Sequence, residues 1–508
     1  MQEQDSIGTK YCDLLIIDEM LPCNFSTFRL LEYSHYLTHF RSSILLTTEG
    51  WHGGYSNLGF SSQLSESNLP AEAKSRVFKF DELRNIVPKL AYITFLNNAD
   101  QLLPYLEERA IPFVLQLYPG GGFDLHTDVA DARLRRVVNS PLCRKVIVSQ
   151  NLSQTYALDI TQAPIEKFEF IYGGVYETHN GFDFHRDKKR YGRNKDTLDI
   201  CFVAHRYGND VRKKGYDQFI AIGKALAPAF PDLRLHVVGD YTSDQIPLDE
   251  IADRITFHGK QPNSFFKEFY PGMDIILSVN RPANEGGSGA FDGFPTGACM
   301  EAGFSGVLNC ISDPLRMNVA FTDDVDIILL DYETHKSAQR IAALLRDLDK
   351  LYGLAYCNWK KYLEVFDKNQ QLWKRCQLIT NELLAEEKLI VRPPSRRSDM
   401  DMSLFSELTE KLRQAAGNHL DAERRHDNLL AEYRKLASGF ESVAEENKRL
   451  AARLLAQAET VVHTPTPSPM QAHGRAEVMA LRALRLTPLR RARIIFSRIA
   501  SHFRQTMN

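Results

Sequence analysis

The stretch GFPTGACMEAGFSG, residues 293–306, sets glycines and a proline around one carboxylate, Glu301, between the apolar runs DIILSV (Asp274 to Val279) and GVLNCIS (Gly306 to Ser312). An apolar run, a glycine-rich turn, a helical segment and a second apolar run spell a strand that enters a helix and returns as a parallel strand. Glycine lets backbone approach a ligand closely, and a helix N-terminus offers unpaired N–H groups and a partial positive charge, so the junction suits a phosphate-bearing ligand. A carboxylate one or two turns into that helix cannot be there for the phosphate. It better serves hydroxyls, such as those of a sugar. On this segment alone, a tight turn followed by a buried helix with a solvated glutamate reads equally well.

Working outward, the same alternation fills the chain as far as about residue 390. YCDLLIID, SSILLTT, LAYITFL, PFVLQLYP, KVIVSQ and FEFIYGGV read as buried strands separated by helical or polar sequence. After the polar segment THNGFDFHRDKKRYGRNKD a second series begins with LDICFVAH and continues through LRLHVVGD, ITFHG, DIILSV, GVLNCIS and DIILLD. Strands alternating with helices predict parallel sheets covered on both faces. The predicted fold class is therefore α/β, with two doubly wound Rossmann-like domains at 1–180 and 198–390 joined by a linker at 181–197. Two such halves put a cleft between them where strand carboxyl ends and helix N-termini face each other.

The remainder has a different character. A charged, proline-bearing spacer (391–403) leads to a segment in which Phe405, Leu412, His419, His426, Tyr433, Phe440 and Leu454 fall at heptad a positions and Leu408, Ala415, Ala422, Leu429, Leu436, Val443 and Leu450 at d, predicting a coiled coil over 404–460, with a single amphipathic helix packed on the globular body as the other reading. Asn447 at an a position is the polar choice that fixes register. A Pro-rich linker (461–474) then precedes a tail (475–508) in which Leu489, Ala492, Ile495, Phe496, Ile499 and Phe503 recur at helical spacing among arginines. The coil predicts a homo-oligomer, and the basic amphipathic tail predicts peripheral contact with anionic membrane.

Composition narrows the classes further. With 44% hydrophobic and 25% charged residues in 508, most of the chain is ordinary globular sequence. Eight Arg against Glu477 make the tail +7, so the formal net charge of -2 leaves -2 minus 7, or -9, on the first 474 residues. An acidic body argues against nucleic acid as its partner. Eight scattered cysteines without a C-x-x-C pair fit reduced thiols, and no run approaches the roughly 18 apolar residues of a spanning helix. The expectation is a cytoplasmic protein, peripheral on the inner face of the cell membrane.

The run FVAHRYGNDVRKKGYDQFI, residues 202–220, carries a resemblance. A strand followed by Arg206, then Lys214-Gly215 opening a helix, resembles the second domain of retaining glycosyltransferases of the GT-B fold, family 4 type. In that family the matching pair holds the diphosphate of a nucleotide sugar, which makes physical sense because two cations stabilise the charge of a departing diphosphate without a metal. The family's acidic motif, E-G-F-x-x-x-x-x-E-A, is matched by Asp292, Gly293, Phe294 and Pro295 and then by Glu301 and Ala302. The resemblance implies that Glu301 bonds the donor ribose and that Asp292 touches the donor sugar. Here the first acid is Asp and lies nine residues before Glu301, where the family spacing is eight, and the inserted NRPANEGGSGA supplies Glu285 as a rival. In the first half the family's Gly-Gly after strand one is replaced by DEMLPCNFST, whereas YPGGGFDLH ends in His126 near where the family places an active-site histidine.

The implied activity is transfer of a sugar from a nucleotide-sugar donor to a growing glycan, a cell-surface polysaccharide or lipopolysaccharide O-antigen on a lipid-linked acceptor, with retention, no cofactor and no metal. Asp292, Glu285 and His126 are the candidate catalytic residues; Arg206, Lys214, Gly293, Phe294, Pro295 and Glu301 are the candidate donor-binding ones. Other readings of the same architecture are a nucleotide-sugar epimerase or phosphorylase, and a catalytically inactive scaffold that organises partner transferases.

Overall fold

The computed structural model describes residues 10–22, 27–48, 59–80, 86–177, 181–206, 210–282 and 289–389. The rival acid Glu285, the spacer, the coil, the Pro-rich linker and the basic tail lie outside them.

Seven strands form the first sheet: β1 (Lys10–Asp18), β2 (Ser43–Thr47), β3 (Val77–Lys79), β4 (Ile86–Thr94), β5 (Phe113–Leu117), β6 (Cys143–Val148) and β7 (Phe168–Phe170), in the order β3-β2-β1-β4-β5-β6-β7. The second sheet has six: β8 (Leu198–Ala204), β9 (Leu233–Gly239), β10 (Ile255–Gly259), β11 (Ile275–Ser278), β12 (Leu308–Ile311) and β13 (Ile328–Leu329), in the order β10-β9-β8-β11-β12-β13. Neighbouring strands pair parallel in both, so this is an α/β chain with two parallel sheets. Helices cover both faces, which is why the central strands are apolar without alternation: Leu14, Leu15, Ile16 and Ile17 are all fully buried. In both sheets the order reverses direction beside the first strand, between β1 and β4 and between β8 and β11. Those two switch points are where a crevice opens at the carboxyl ends of the strands.

The segment 181–197 contributes to the second core. Phe182 and Phe184 are buried there, and the Phe184 ring stacks on Trp359 at 5.9 Å. Asp183 caps a short helix, Phe184–Asp187, by accepting from the His185 and Arg186 N–H groups.

The last described helix, Lys368–Leu389, follows the second sheet in sequence yet packs on β4 and on the Thr27–His39 helix of the first half. Arg375 on it is completely buried. Its guanidinium lies 3.9 Å from the Glu32 carboxylate and donates to the Tyr118 hydroxyl at 3.4 Å and to the Gln371 side-chain oxygen at 2.7 Å. Glu32 also accepts from the hydroxyls of Tyr36, Tyr92 and Tyr118. Removing one partner of such a buried pair strands the other charge, at about 3–5 kcal/mol.

A second polar cluster holds the amino ends of the second sheet. The Asp199 carboxylate accepts from Lys195 Nζ and from the Thr197 hydroxyl, both at 2.7 Å, and pairs with His236 at 2.9 Å. Lys195 bridges on to Asp274 at 2.6 Å, whose other oxygen accepts from the Tyr352 hydroxyl at 2.8 Å. Burial pushes the Asp199 carboxyl up, but His236, Lys195 and Thr197 outweigh it and hold it at about 2. A carboxyl depressed in the folded state stabilises the fold above its unfolded value near 3.9, and that contribution fades as pH falls through about 2. Asp199→Asn is therefore expected to cost about 2 kcal/mol at neutral pH, with the difference from the parent chain shrinking toward pH 2. Urea unfolding midpoints of the two proteins across that range check it.

Candidate functional site

The site assembles at the β8–β11 switch point. After β8 the chain runs to the helix Tyr216–Leu226, and its N-cap, Gly215, has φ +79°. A Cβ there would sit 2.4 Å from the Val279 carbonyl oxygen, so only glycine allows the loop to lie against the end of β11. That contact carries Lys214 over the strand end. Its ammonium reaches Asp292 at 2.5 Å and 2.7 Å to the two carboxylate oxygens. Asn280, just past β11, donates to the same carboxylate at 2.7 Å and accepts from the Ser278 hydroxyl at 3.1 Å. The Asn280 carbonyl in turn accepts from Ser312 and Tyr332, both at 2.9 Å. Beside it, Arg281 donates to Asp217 at 2.9 Å. The result is a pinned carboxylate carrying one cation and one amide, at the mouth of a cavity walled by Asn280, Arg281, Phe294, Thr296 and Ser312.

Arg206 is half-buried two residues past β8. Burial raises the Tyr241 hydroxyl pKa, with Arg206 pulling it down and Asp292 pushing it up. The motif loop runs from Gly293 through a cis Phe294–Pro295 peptide into the helix Gly297–Phe304. Thr296 caps that helix, its hydroxyl oxygen accepting from the Cys299 N–H at 3.4 Å. Phe294 and Pro295 are buried, and Glu301 is half-buried on the helix. Burial first, and then the Glu301 charge, raises the hydroxyls of Tyr176 and Tyr270.

The first half contributes the opposite wall. A Cβ on Gly293 would lie 3.0 Å from the side-chain nitrogen of Gln150, and one on Gly297 2.9 Å from the Tyr176 hydroxyl. The YPGGGFDLH loop crosses the cleft: Leu125 and Gly289 exchange backbone hydrogen bonds at 2.9 Å and 2.6 Å, and Phe123 packs edge-on to Phe291 at 5.6 Å. His126, next in the chain, is exposed at φ +52°, with its ring edge-on to Tyr156 at 5.0 Å. At the β1–β4 switch point, where a glycine pair was missing from the sequence, stands a buried ion cluster instead. Arg29 donates to Asp18 at 3.0 Å and to Glu19 at 2.7 Å, and Glu19 also accepts from Asn98. Burial raises the Glu19 carboxyl and Asp18 adds to it, with Arg29 opposing both.

The structure thus joins Lys214 directly to Asp292, leaves Arg206 half-buried two residues past β8, and carries Gly293, Phe294, Pro295 and Glu301 on one loop and helix. His126 stands across the cleft, beside the backbone bridge to Gly289. Sequence reasoning passed over Asn280, Ser278 and Gln150. Asn280 carried one usable signal, being the first polar residue after a strand that ends at a switch point. Among the described residues no group of three or more His, Cys, Asp or Glu side chains is placed to hold a metal ion, and no helix is long and apolar enough to cross a membrane.

No protein-family model matches the chain, and no curated protein sequence does. Solved structures match it in three dimensions. HepE from Anabaena, in complex with UDP and glucose, superposes with a TM-score of 0.51 at 16% identity, over 73% of this chain and 100% of its own. The chain has the GT-B fold. A glycosyltransferase from Rickettsia africae gives 0.51 at 12% identity, covering 73% of this chain and 99% of that one. Sucrose-phosphate synthase from Thermosynechococcus elongatus gives 0.51 at 12% identity, covering 73% and 100%.

The Lys214–Asp292 pair has side chains 15% and 34% exposed, so its strength should fall between that of surface and buried pairs. A double-mutant cycle with Lys214→Ala and Asp292→Asn is expected to give a coupling of about 0.5–1.5 kcal/mol that declines with added salt. Thermal unfolding of the four proteins at two ionic strengths measures it.

Proposed function

We propose that this protein is a retaining glycosyltransferase that moves a sugar, of the hexosyl class, from a nucleotide-sugar donor to a growing glycan without a metal. The observation that carries the reading is the Lys214–Asp292 pair at the carboxyl ends of β8 and β11, with Arg206 two residues past β8 and the capped N-terminus of the Gly297–Phe304 helix on the same motif loop. That N-terminus and two cations suit a diphosphate. Support also comes from the fold, shared with structures that include one crystallised with UDP and glucose.

On this reading Arg206 and Lys214 hold the donor diphosphate, Glu301 bonds the ribose hydroxyls, and Gly293, Phe294 and Pro295 shape the backbone beside the sugar. The bond from the anomeric carbon to the diphosphate oxygen breaks as the bond to the acceptor oxygen forms on the same face. The acceptor's proton passes to the departing phosphate oxygen. Arg206, Lys214 and the helix dipole stabilise the charge that develops there. Lys214 is engaged by Asp292, so on this reading the diphosphate takes Lys214 over and leaves that carboxylate to the donor sugar. Glu285 is the second candidate for the sugar-contacting acid, and His126 the group offered from across the cleft.

Lys214→Ala and Arg206→Ala are each expected to lower transfer by about 2.7–4 kcal/mol in activation free energy, a hundredfold to a thousandfold. Asp292→Asn is expected to keep or tighten UDP binding while turnover falls, because it removes the competitor for Lys214. Donor turnover and UDP calorimetry on the three variants test this. Near-parental turnover in both cation variants sinks the assignment, and a parent protein that binds UDP but neither transfers nor hydrolyses any donor is a scaffold.

We further propose that 404–460 forms a homo-oligomeric coil and that the tail lies on membrane, so that the enzyme works on a lipid-linked acceptor at the cytoplasmic face, in polysaccharide or lipopolysaccharide assembly. As a helix, Phe405 to Leu454 would span roughly 75 Å, at about 1.5 Å per residue. Full-length protein is expected to float with anionic liposomes, and deletion of 475–508 to release it. Equal flotation of both proteins rules the anchor out.

A further inference from the structure

A groove of about 420 Å³ lies away from the cleft, at the amino-terminal end of β8. One wall comes from the Phe184–Asp187 helix and the turn after it, the other from the first turns of the helix Leu348–Val365. Its volume falls in the range of small-molecule sites.

Three features of its lining point to one ligand class. The Arg190 guanidinium lies over two rings, 5.2 Å from the Phe184 centroid and 5.6 Å from that of Tyr352, and makes no hydrogen bond or ion pair among the described residues. Two rings thus hold it in place while its donors are unused among those residues, and a guanidinium fork suits a carboxylate in bidentate fashion. Arg193 stands exposed on the same wall. Opposite, the half-buried Tyr356 packs against His185 at 5.1 Å and offers an aromatic surface to the groove. Between Tyr352 and Tyr356 the floor is Gly353, within an 18-residue helix. Glycine weakens a helix interior relative to alanine, and a Cβ here would meet nothing within 4 Å, so the chain's own packing does not call for it. Its effect is to keep the floor open between two tyrosines. The single acid on the rim, Asp349, leaves the lining net basic.

We infer that this groove is a second saccharide site, which holds an acidic sugar unit of a glycan with its ring on Tyr356 and its carboxylate on Arg190 and Arg193. That the ligand is a glycan rests on the transferase reading; the aromatic and cationic lining stands without it.

The test is calorimetric titration of full-length protein with trigalacturonate, with its methyl ester and inorganic phosphate as controls and UDP as the probe of the cleft. Trigalacturonate is expected to bind at one site, the ester at least about tenfold more weakly, and neither phosphate nor UDP to displace it. Gly353→Leu, which adds a helix-forming side chain in open space and blocks the floor, should abolish saccharide binding and leave UDP affinity unchanged. Arg190→Gln should weaken the saccharide about tenfold or more. No binding of trigalacturonate at millimolar concentration, equal binding to Gly353→Leu, displacement by phosphate, or competition with UDP would each overturn the site. Loss of UDP binding by the parent protein with the saccharide still bound overturns the transferase reading alone.

Discussion

One buried charge pair ties the last described helix, which follows the second sheet, back to the first half of the chain. Arg375 sits on a helix that follows the whole second sheet, yet its guanidinium is enclosed beside Glu32 and Tyr118 of the first half, 257 residues from the latter. A cation with no access to water stays only where a carboxylate and several hydroxyls compensate it. Glu32 and the tyrosines are therefore a specific address for that helix. With the helix returned to the first half, the chain is tied at both ends of the second domain, and the switch-point walls face one another. The Gly293–Gln150 approach and the Leu125–Gly289 bridge are further contacts between the two halves.

The cleft shows how charge is stored for a ligand. Lys214 and Asp292 satisfy each other, and Asn280 donates a further hydrogen bond to the carboxylate. An unpaired ammonium and an unpaired carboxylate at that depth would each be costly, so the pair keeps the site ready without stranding either. The first switch point uses the same device more rigidly: Arg29 lies between Asp18 and Glu19 with all three side chains buried. Where a glycine pair would have let a ligand reach the backbone, this chain has filled the space with ions.

The sequence by itself determined the fold class, for a physical reason. Strands covered on both faces must be apolar throughout, so YCDLLIID, LDICFVAH and their companions announce themselves without any partner being known. Gly215 and the Gly293–Pro295 turn were legible for a related reason, since only particular residue types fit those backbone paths. What only the tertiary structure decided is who meets whom. Lys214 and Asp292 are 78 residues apart, and nothing in either local sequence says that they share a hydrogen-bonded ion pair at 2.5 Å. Asn280 looked like loop, Gln150 like the end of the strand run KVIVSQ, and Phe182 and Phe184 like part of a polar linker until the second core closed over them. Local pattern encodes which face is buried; long-range pairing depends on chain return, and that is set by packing such as the Arg375 pocket, which no spacing of residues records.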